Sequence, residues 1–380
     1  MKIEGAKLGN KNLEDWLKNP PKKALQKGDD RPYAGKYSTL KHELKSKHHE
    51  TTKAAILKDI EEKIKKARKN GETFFDLEKI MWLNDHGPDH IQTVIDRASD
   101  LLENEDIRLN AREVYLLLNS IQLHDIGNFL GRTNHEKVIT QVIRKQIPLV
   151  AFDDFEKNYV VQVAQVHGGK LHGKNGSESK NTIKGLIGAE SQKLGQYDVD
   201  LRFLAAVLRF ADELADDNSR ADAELLRAGK IPKSSEIYHA YSFCIDPVTV
   251  NHDNQTVEIH MRVPMEFVRR RMGKNDGEKW LLDEIYSRAI KMHQERIYCS
   301  KFWKSRLRID KIWFRIQFYN FTTEEGMLND DDLELPKPIT FTLEDDHYPN
   351  TPLDIFQMCE GLNFSDGKPM DGANFYSKLK

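Results

Sequence analysis

Six side chains of types that hold metal ions stand out by their setting: His90, His124, Asp125, His135, His167 and Asp212. Two are carboxylates in places where a carboxylate should not be. Leading into the stretch LLLNSIQLHDI, Leu116–Ile126, the apolar stripe runs through Val114, Leu117, Leu118 and Ile121. At helical pitch Asp125 falls about 20° from Val114, on that same stripe. Asp212 stands in the same relation to Leu201, whose stripe continues through Leu204, Ala205, Leu208, Ala211 and Ala215. An ionised carboxylate on a core face is expensive unless a positive group meets it. Arginine or helix-end amides can satisfy one such group, but two on separate helices point to a shared buried cation. Imidazole with carboxylate suits one or two divalent ions of Mn, Fe, Co, Ni or Zn, with Mg allowed where oxygen ligands dominate.

Several helices must bring these residues together. Gly87-Pro88 opens a helix with His90 on the edge of a stripe of Ile91, Val94, Ile95, Ala98, Leu101 and Leu102. Asn110 and Glu113 have capping-box spacing and begin the helix that ends near His124 and Asp125, just before Gly127. Thr133 and Glu136 repeat that spacing after a short loop, Gly127–Arg132, and place His135 in a first turn. Phe155–His167 is expected to be helical and closed by Gly168-Gly169; Asp200–Ala215 is expected to be the helix of Asp212. His135 as a first-turn residue and His167 as a helix-terminal cation are the plain alternatives to ligation. His86 and His172 read as capping or solvent residues, and Glu213 and Asp216 as solvated or as supports for a ligating histidine. A His-Asp pair alone means little, since His252-Asp253 repeats it in what reads as a surface turn.

The order and context of these residues resemble the HD superfamily of metal-dependent phosphohydrolases. The resemblance rests on His90 in H-x-x-x-V, the HDIG box His124–Gly127 and Asp212 in LRFADEL, and covers about residues 75–220. His135 in HEKV and His167 in VHGG resemble the additional ligands of the binuclear members. ADELAD and HGPDH look closest to the HD-CE-like branch. The resemblance implies that His90, His124, Asp125 and Asp212 are primary ligands, that Asp125 can bridge, and that His135 and His167 hold a second ion. Asp125 and His135 are the expected catalytic residues at the reacting centre, and since charge developing on the phosphate needs cations, Arg132, Lys170 and Arg209 are nearby candidates. One departure concerns the residue after the HDIG glycine, which is lysine in many relatives and Asn128 here. The loop also differs from the longer HDIGHPPFGH box of dNTP triphosphohydrolases.

The expected fold is mainly α: an HD-type helical bundle over residues 73–230, a basic extension over 1–72 and a smaller C-terminal α+β subdomain over 231–380. Residues 1–50 read as irregular or peripherally packed, broken by Pro20, Pro21, Gly28, Pro32 and Gly35, with a charged helix from Ala54 to Lys69. Tyr238–Ile245 and Gln255–Val263 read as paired strands, Trp280–Tyr298 as a helix and Lys311–Phe318 as a strand.

Charge and cysteines narrow the class. The formal net charge is −2, yet residues 1–70 hold 19 Lys+Arg against 10 Asp+Glu, and residues 321–380 hold 4 against 13. The near-neutral total favours a nucleotide or other phosphorylated small substrate over polymeric nucleic acid; the basic N-terminus keeps nucleic acid open. Arg269-Arg270-Arg271 reads as a solvated face. Three cysteines with no CxxC suit a reducing compartment. With no apolar leader and no spanning run, a cytoplasmic protein without a membrane partner is expected, and a homo-oligomer is open. The expected reaction is hydrolysis of a nucleotide phosphate ester or anhydride. The alternatives are a nuclease or phosphodiesterase on DNA, RNA or cyclic nucleotides, and a non-catalytic nucleotide sensor or scaffold.

Overall fold

Asn110 and Glu113 form the predicted capping box. The Asn110 side chain accepts from the Glu113 amide, and the Glu113 carboxylate accepts from the Asn110 amide. They start the helix on which the architecture is built. The computed structural model describes residues 5–26, 32–69, 87–104, 106–130, 135–146, 153–172, 177–188, 191–275, 277–303, 306–320, 335–344 and 353–379.

The chain is mainly α. Two compact units form within it, one from Met1–Glu62, His86–Ala215 and Cys299–Arg308, the other from Lys63–Asp85, Asp216–Tyr298 and Ile309–Lys380. The first contains α1 (Leu13–Lys18), most of α2 (Pro32–Lys69), α3 (Pro88–Leu102), α4 (Ala111–Leu123), α5 (His135–Gln146), α6 (Asp154–Gln165), α7 (Thr182–Leu186) and α8 (Leu201–Glu213). Helix α4 packs against α1, α3, α6 and α8. It is therefore buried on every face, with Val114, Leu116, Leu117, Leu118 and Ile121 at 0–1% exposure. Polar residues inside it donate to main-chain carbonyls: Ser120 Oγ to those of Leu116 and Val160, and Asn119 Nδ2 to that of Tyr115. Two small hairpins complete the unit, β1 (Leu171–His172) with β2 (Glu178–Ser179), and β3 (Gln192–Leu194) with β4 (Tyr197–Val199).

The N-terminal segment is not irregular as its prolines and glycines suggested. Asn12 caps α1, and Leu13, Trp16 and Leu17 are buried. Ala6 and Leu109 exchange backbone hydrogen bonds, both 2.8 Å, and the Leu13 amide donates to Ser99 Oγ. Pro32 starts α2 instead of breaking it, since proline at a helix start lacks only a donor that would be unpaired anyway. Along α2, Tyr33, Tyr37, Leu40, Leu44 and His48 are all buried, at helical spacing.

The second unit is α+β. It holds α9 (Ala223–Arg227), α10 (Glu236–Cys244), β5 (Ile245–Asn251), β6 (Thr256–Pro264), α11 (Met265–Val268), β7 (Arg271–Lys274), β8 (Gly277–Trp280), most of α12 (Leu281–Trp303), β9 (Lys311–Tyr319) and β10 (Ile339–Leu343). Its four-stranded sheet has the order β10-β9-β6-β5, with β6 and β9 parallel and the outer pairs antiparallel. The alternation foreseen for Lys311–Phe318 buries Ile312, Phe314, Ile316 and Phe318. Phe314 stacks on Phe341 at 4.8 Å. Tyr238–Ile245, expected to be a strand, lies mostly in α10, and the strand begins at Ile245. Its aromatic residues favour a strand locally; burial of Ile237, His239, Ala240, Tyr241 and Cys244 on helical spacing overrides that preference. His252-Asp253 does lie in the turn joining β5 to β6. The three cysteines are buried and form no disulfide among the described residues. Among the described residues no helix is long and apolar enough to cross a membrane.

Candidate metal centre

His90 sits in the first turn of α3, His124 at the C-cap of α4 and Asp212 near the end of α8. These three form one group of potential ligands; Asp125, His135 and His167 form a second. His135 is the first residue of α5, and His167 follows the end of α6. The four imidazoles make a contiguous row. His90 and His124 have ring centroids 5.6 Å apart, His124 and His167 5.0 Å, and His167 and His135 5.2 Å.

Asp125 joins the groups through different oxygens. Its Oδ2 lies 3.5 Å from His124 Nε2 and 3.8 Å from His90 Nε2. Its Oδ1 lies 3.0 Å from His135 Nε2 and 3.8 Å from His167 Nε2. Asp212 Oδ1 closes the first group at 3.3 Å from His90 Nε2 and 3.5 Å from His124 Nε2. The second is closed by 3.1 Å between the Nε2 atoms of His135 and His167. Ligands at about 2.0–2.2 Å from an ion in tetrahedral or octahedral geometry lie roughly 3.0–3.6 Å from each other. The separations of 3.0–3.5 Å are of that size, and the contacts of Asp125 with His90 and His167, at 3.8 Å, lie just above it.

The helix ends aim the rings. His124 Nδ1 lies 2.8 Å from the Ile121 carbonyl, and His167 Nδ1 lies 2.6 Å from that of Ala164. Each is a contact three residues back, to a carbonyl near the end of its helix. A ring N–H donated there leaves Nε2 for a ligand's role. His124 Nε2 is buried and makes no hydrogen bond among the described residues. A buried nitrogen without a hydrogen bond, facing two carboxylates, is what a cation would satisfy.

Electrostatics agree. Burial alone would drive the His124 imidazole toward neutrality, but Asp125 and Asp212 outweigh it and hold its pKa at about 9. For His167, burial and the neighbouring His124 and His135 lower the pKa to about 4. Burial raises the Asp212 carboxyl, yet the adjacent imidazoles of His124 and His90 keep it well below its ordinary value. The centre thus combines ionised carboxylate with a neutral imidazole, and attracts a proton to His124 where a cation can act instead. The residues fit a divalent ion.

The other expected residues fall outside the two groups. Lys170 is about half exposed and pairs with Glu178 at 2.5 Å, across the β1–β2 hairpin. Arg132 and His86 lie outside the described residues. Arg209 is buried and committed: its Nη1 donates to Thr182 Oγ1 at 2.9 Å and reaches the Lys180 and Val166 carbonyls at 3.4 and 3.5 Å. It therefore holds the segment next to His167. Asn128, which replaces the expected lysine, is 2% exposed, and its Oδ1 has no hydrogen-bond partner among the described residues. Asp216 is not solvated as expected; Arg220 and Arg288 clamp it at 2.5 and 2.7 Å within the second unit.

One contributor went unnoticed in the sequence. His48 Nε2 lies 3.1 Å from Gln122 Oε1, Gln122 Nε2 donates to Tyr37 Oη at 3.0 Å, and Tyr37 Oη donates to Glu14. Burial, with Gln122 opposing it, lowers the His48 pKa to about 4. The chain anchors α1 and α2 on α4, two residues before His124. The helical stripe Tyr33-Tyr37-Leu40-Leu44-His48 was the available signal.

Residues 72–289 match the model of the HD-CE family. No curated protein and no solved structure matches the chain.

Proposed function

The chain belongs to the HD-CE family, and on that footing we propose that it is a metal-dependent phosphohydrolase cleaving a phosphate ester or anhydride bond of a nucleotide. One observation carries the reading. Asp125 turns one oxygen toward His90 and His124 and the other toward His135 and His167. A single carboxylate divided between two histidine pairs is suited to bridging two ions.

A divalent cation held there would lower the pKa of a coordinated water and polarise a phosphoryl oxygen. His90, His124 and Asp212 would hold one ion, His135 and His167 the other, with Asp125 shared. The chain's own part is orientation. His124 and His167 present Nε2 because their Nδ1 atoms are held by backbone carbonyls. His135, with a fifth of its side chain exposed, is the most accessible of the four histidines. Among the described residues Lys170 makes an exposed ion pair with Glu178, worth about 0–1 kcal/mol, which a substrate phosphate can displace at little expense. The near-neutral net charge supports a nucleotide over a polymer.

Phosphate and pyrophosphate release is the test, using NTPs, dNTPs, cyclic dinucleotides and single-stranded oligonucleotides with Mn, Mg, Ni or Co. The expected outcome is turnover of a mononucleotide, reduced by on the order of 100-fold or more in Asp125→Ala. Cleavage confined to oligonucleotides would replace this reading with a nuclease, and tight binding without turnover would replace it with a nucleotide sensor.

A further inference from the structure

The two halves of the centre are built differently. The ligands of the first half project from α3, α4 and α8, which pack directly on one another. The second half depends on α5, which carries His135 and packs against the turn Ile126–Leu130 and α6. Two glycines set that docking. A Cβ at Gly127 would lie 1.9 Å from the His135 carbonyl oxygen and 2.6 Å from its carbon. The obstacle is backbone, so a side chain there would move the start of α5 itself. Gly169, two residues after His167, has a φ of +74°, a conformation that L side chains rarely adopt. A Cβ there would lie 2.4 Å from Glu136 Oε1 and 2.8 Å from Glu136 Cγ. Glu136 is itself 7% exposed, and its Oε2 lies 3.6 Å from His135 Nδ1.

We infer that Gly127, Gly169 and Glu136 are the positioning residues of the His135–His167 half, and that this half can be lost while the His90–His124–Asp212 half persists. Gly127 lets the His135 backbone approach the turn that carries Asp125. Gly169 leaves room for the Glu136 carboxylate beside His135, on the side opposite the Nε2 that faces Asp125. Carboxylate support of a ligating histidine typically changes metal affinity by about 10–100-fold. The inference rests on the metal-centre reading proposed above.

The experiment counts ions and reads their coupling, with no dependence on turnover. Full-length wild type, Gly127→Ala, Gly169→Ala, Glu136→Ala, Glu136→Gln and a His135→Ala control are loaded with Mn. They are then analysed by elemental analysis and electron paramagnetic resonance, with circular dichroism as the check on folding. Wild type is expected to hold two ions as a coupled pair. Gly127→Ala and His135→Ala are expected to hold one, with an uncoupled Mn spectrum. Gly169→Ala and Glu136→Ala are expected to weaken the second ion by about 10-fold or more, with Glu136→Gln partly restored. If Gly127→Ala does not fold, the Gly169 and Glu136 variants decide the outcome. Retention of both ions at wild-type affinity in the folded variants would overturn the inference, as would equal loss of both ions. Wild type without any ion would instead remove the metal-centre reading beneath it, while His135→Ala at one ion with two in Gly127→Ala would fail this inference alone.

Discussion

Replacing Asp125 with alanine should remove both ions together, because each of its oxygens serves a different half of the centre. The size of the effect follows from binding linkage. An ion present at about 100 times its dissociation constant stabilises the folded state by about 2.7 kcal/mol. The unit that holds the ligands spans about 200 residues, for which roughly 2–4 °C of melting temperature corresponds to 1 kcal/mol. Adding Mn to chelator-treated wild type should therefore raise the melting transition of that unit by about 5–10 °C for one ion. Asp125→Ala should show a shift near zero at the same Mn concentration, and His135→Ala should keep the part due to the first ion. Differential scanning calorimetry with and without chelator reads this directly, and circular dichroism of the metal-free variant checks that the helices remain. A full Mn-dependent shift in Asp125→Ala would refute the bridging argument. A shift in that variant equal to the one in His135→Ala would show that Asp125 serves one half only.

Two further outcomes probe the frame around the centre. Trp16 is 1% exposed, and its Nε1 donates to the Lys7 carbonyl at 3.0 Å. Trp16→Ala should destabilise the first unit by about 3–5 kcal/mol in urea unfolding, and a loss under about 1 kcal/mol would mean that the N-terminal segment is peripheral. In the second unit, burial raises the Glu284 carboxyl, but Lys274, Arg288 and Lys279 overcome it and hold its pKa at about 2 against an ordinary 4.5. A depressed carboxylate stabilises the fold above its unfolded value and loses that contribution as pH falls through the folded one. About 3 kcal/mol should therefore disappear from the second unit between roughly pH 5 and pH 2. Glu284→Gln should flatten that dependence, and an unchanged acid slope would count against the ion cluster.

Local pattern alone identified much of this protein. The capping box at Asn110 and Glu113, the stripe of α8 and the alternation of β9 are written in residues a few positions apart, where helical and strand periodicities act. The same periodicity exposed Asp125 and Asp212 as carboxylates on core faces; the ligand order came from the resemblance to the HD superfamily. Contacts between distant segments were not legible in that way. The fall of Tyr238–Cys244 into a helix depended on burial that its own aromatic pattern did not report. The N-terminal segment looked broken because proline and glycine were read as interruptions, whereas Pro32 begins a helix and Trp16 enters the core. Arg209 could be placed near His167, but its commitment to Thr182 and two carbonyls could not be foreseen. Periodicity says which side of an element faces inward; it does not say what meets it there. The oxygen that Asp125 gives to each histidine pair, the approach of the His135 carbonyl to Gly127 and the arrival of His48 at Gln122 are set by packing between segments, and only the tertiary structure decided them.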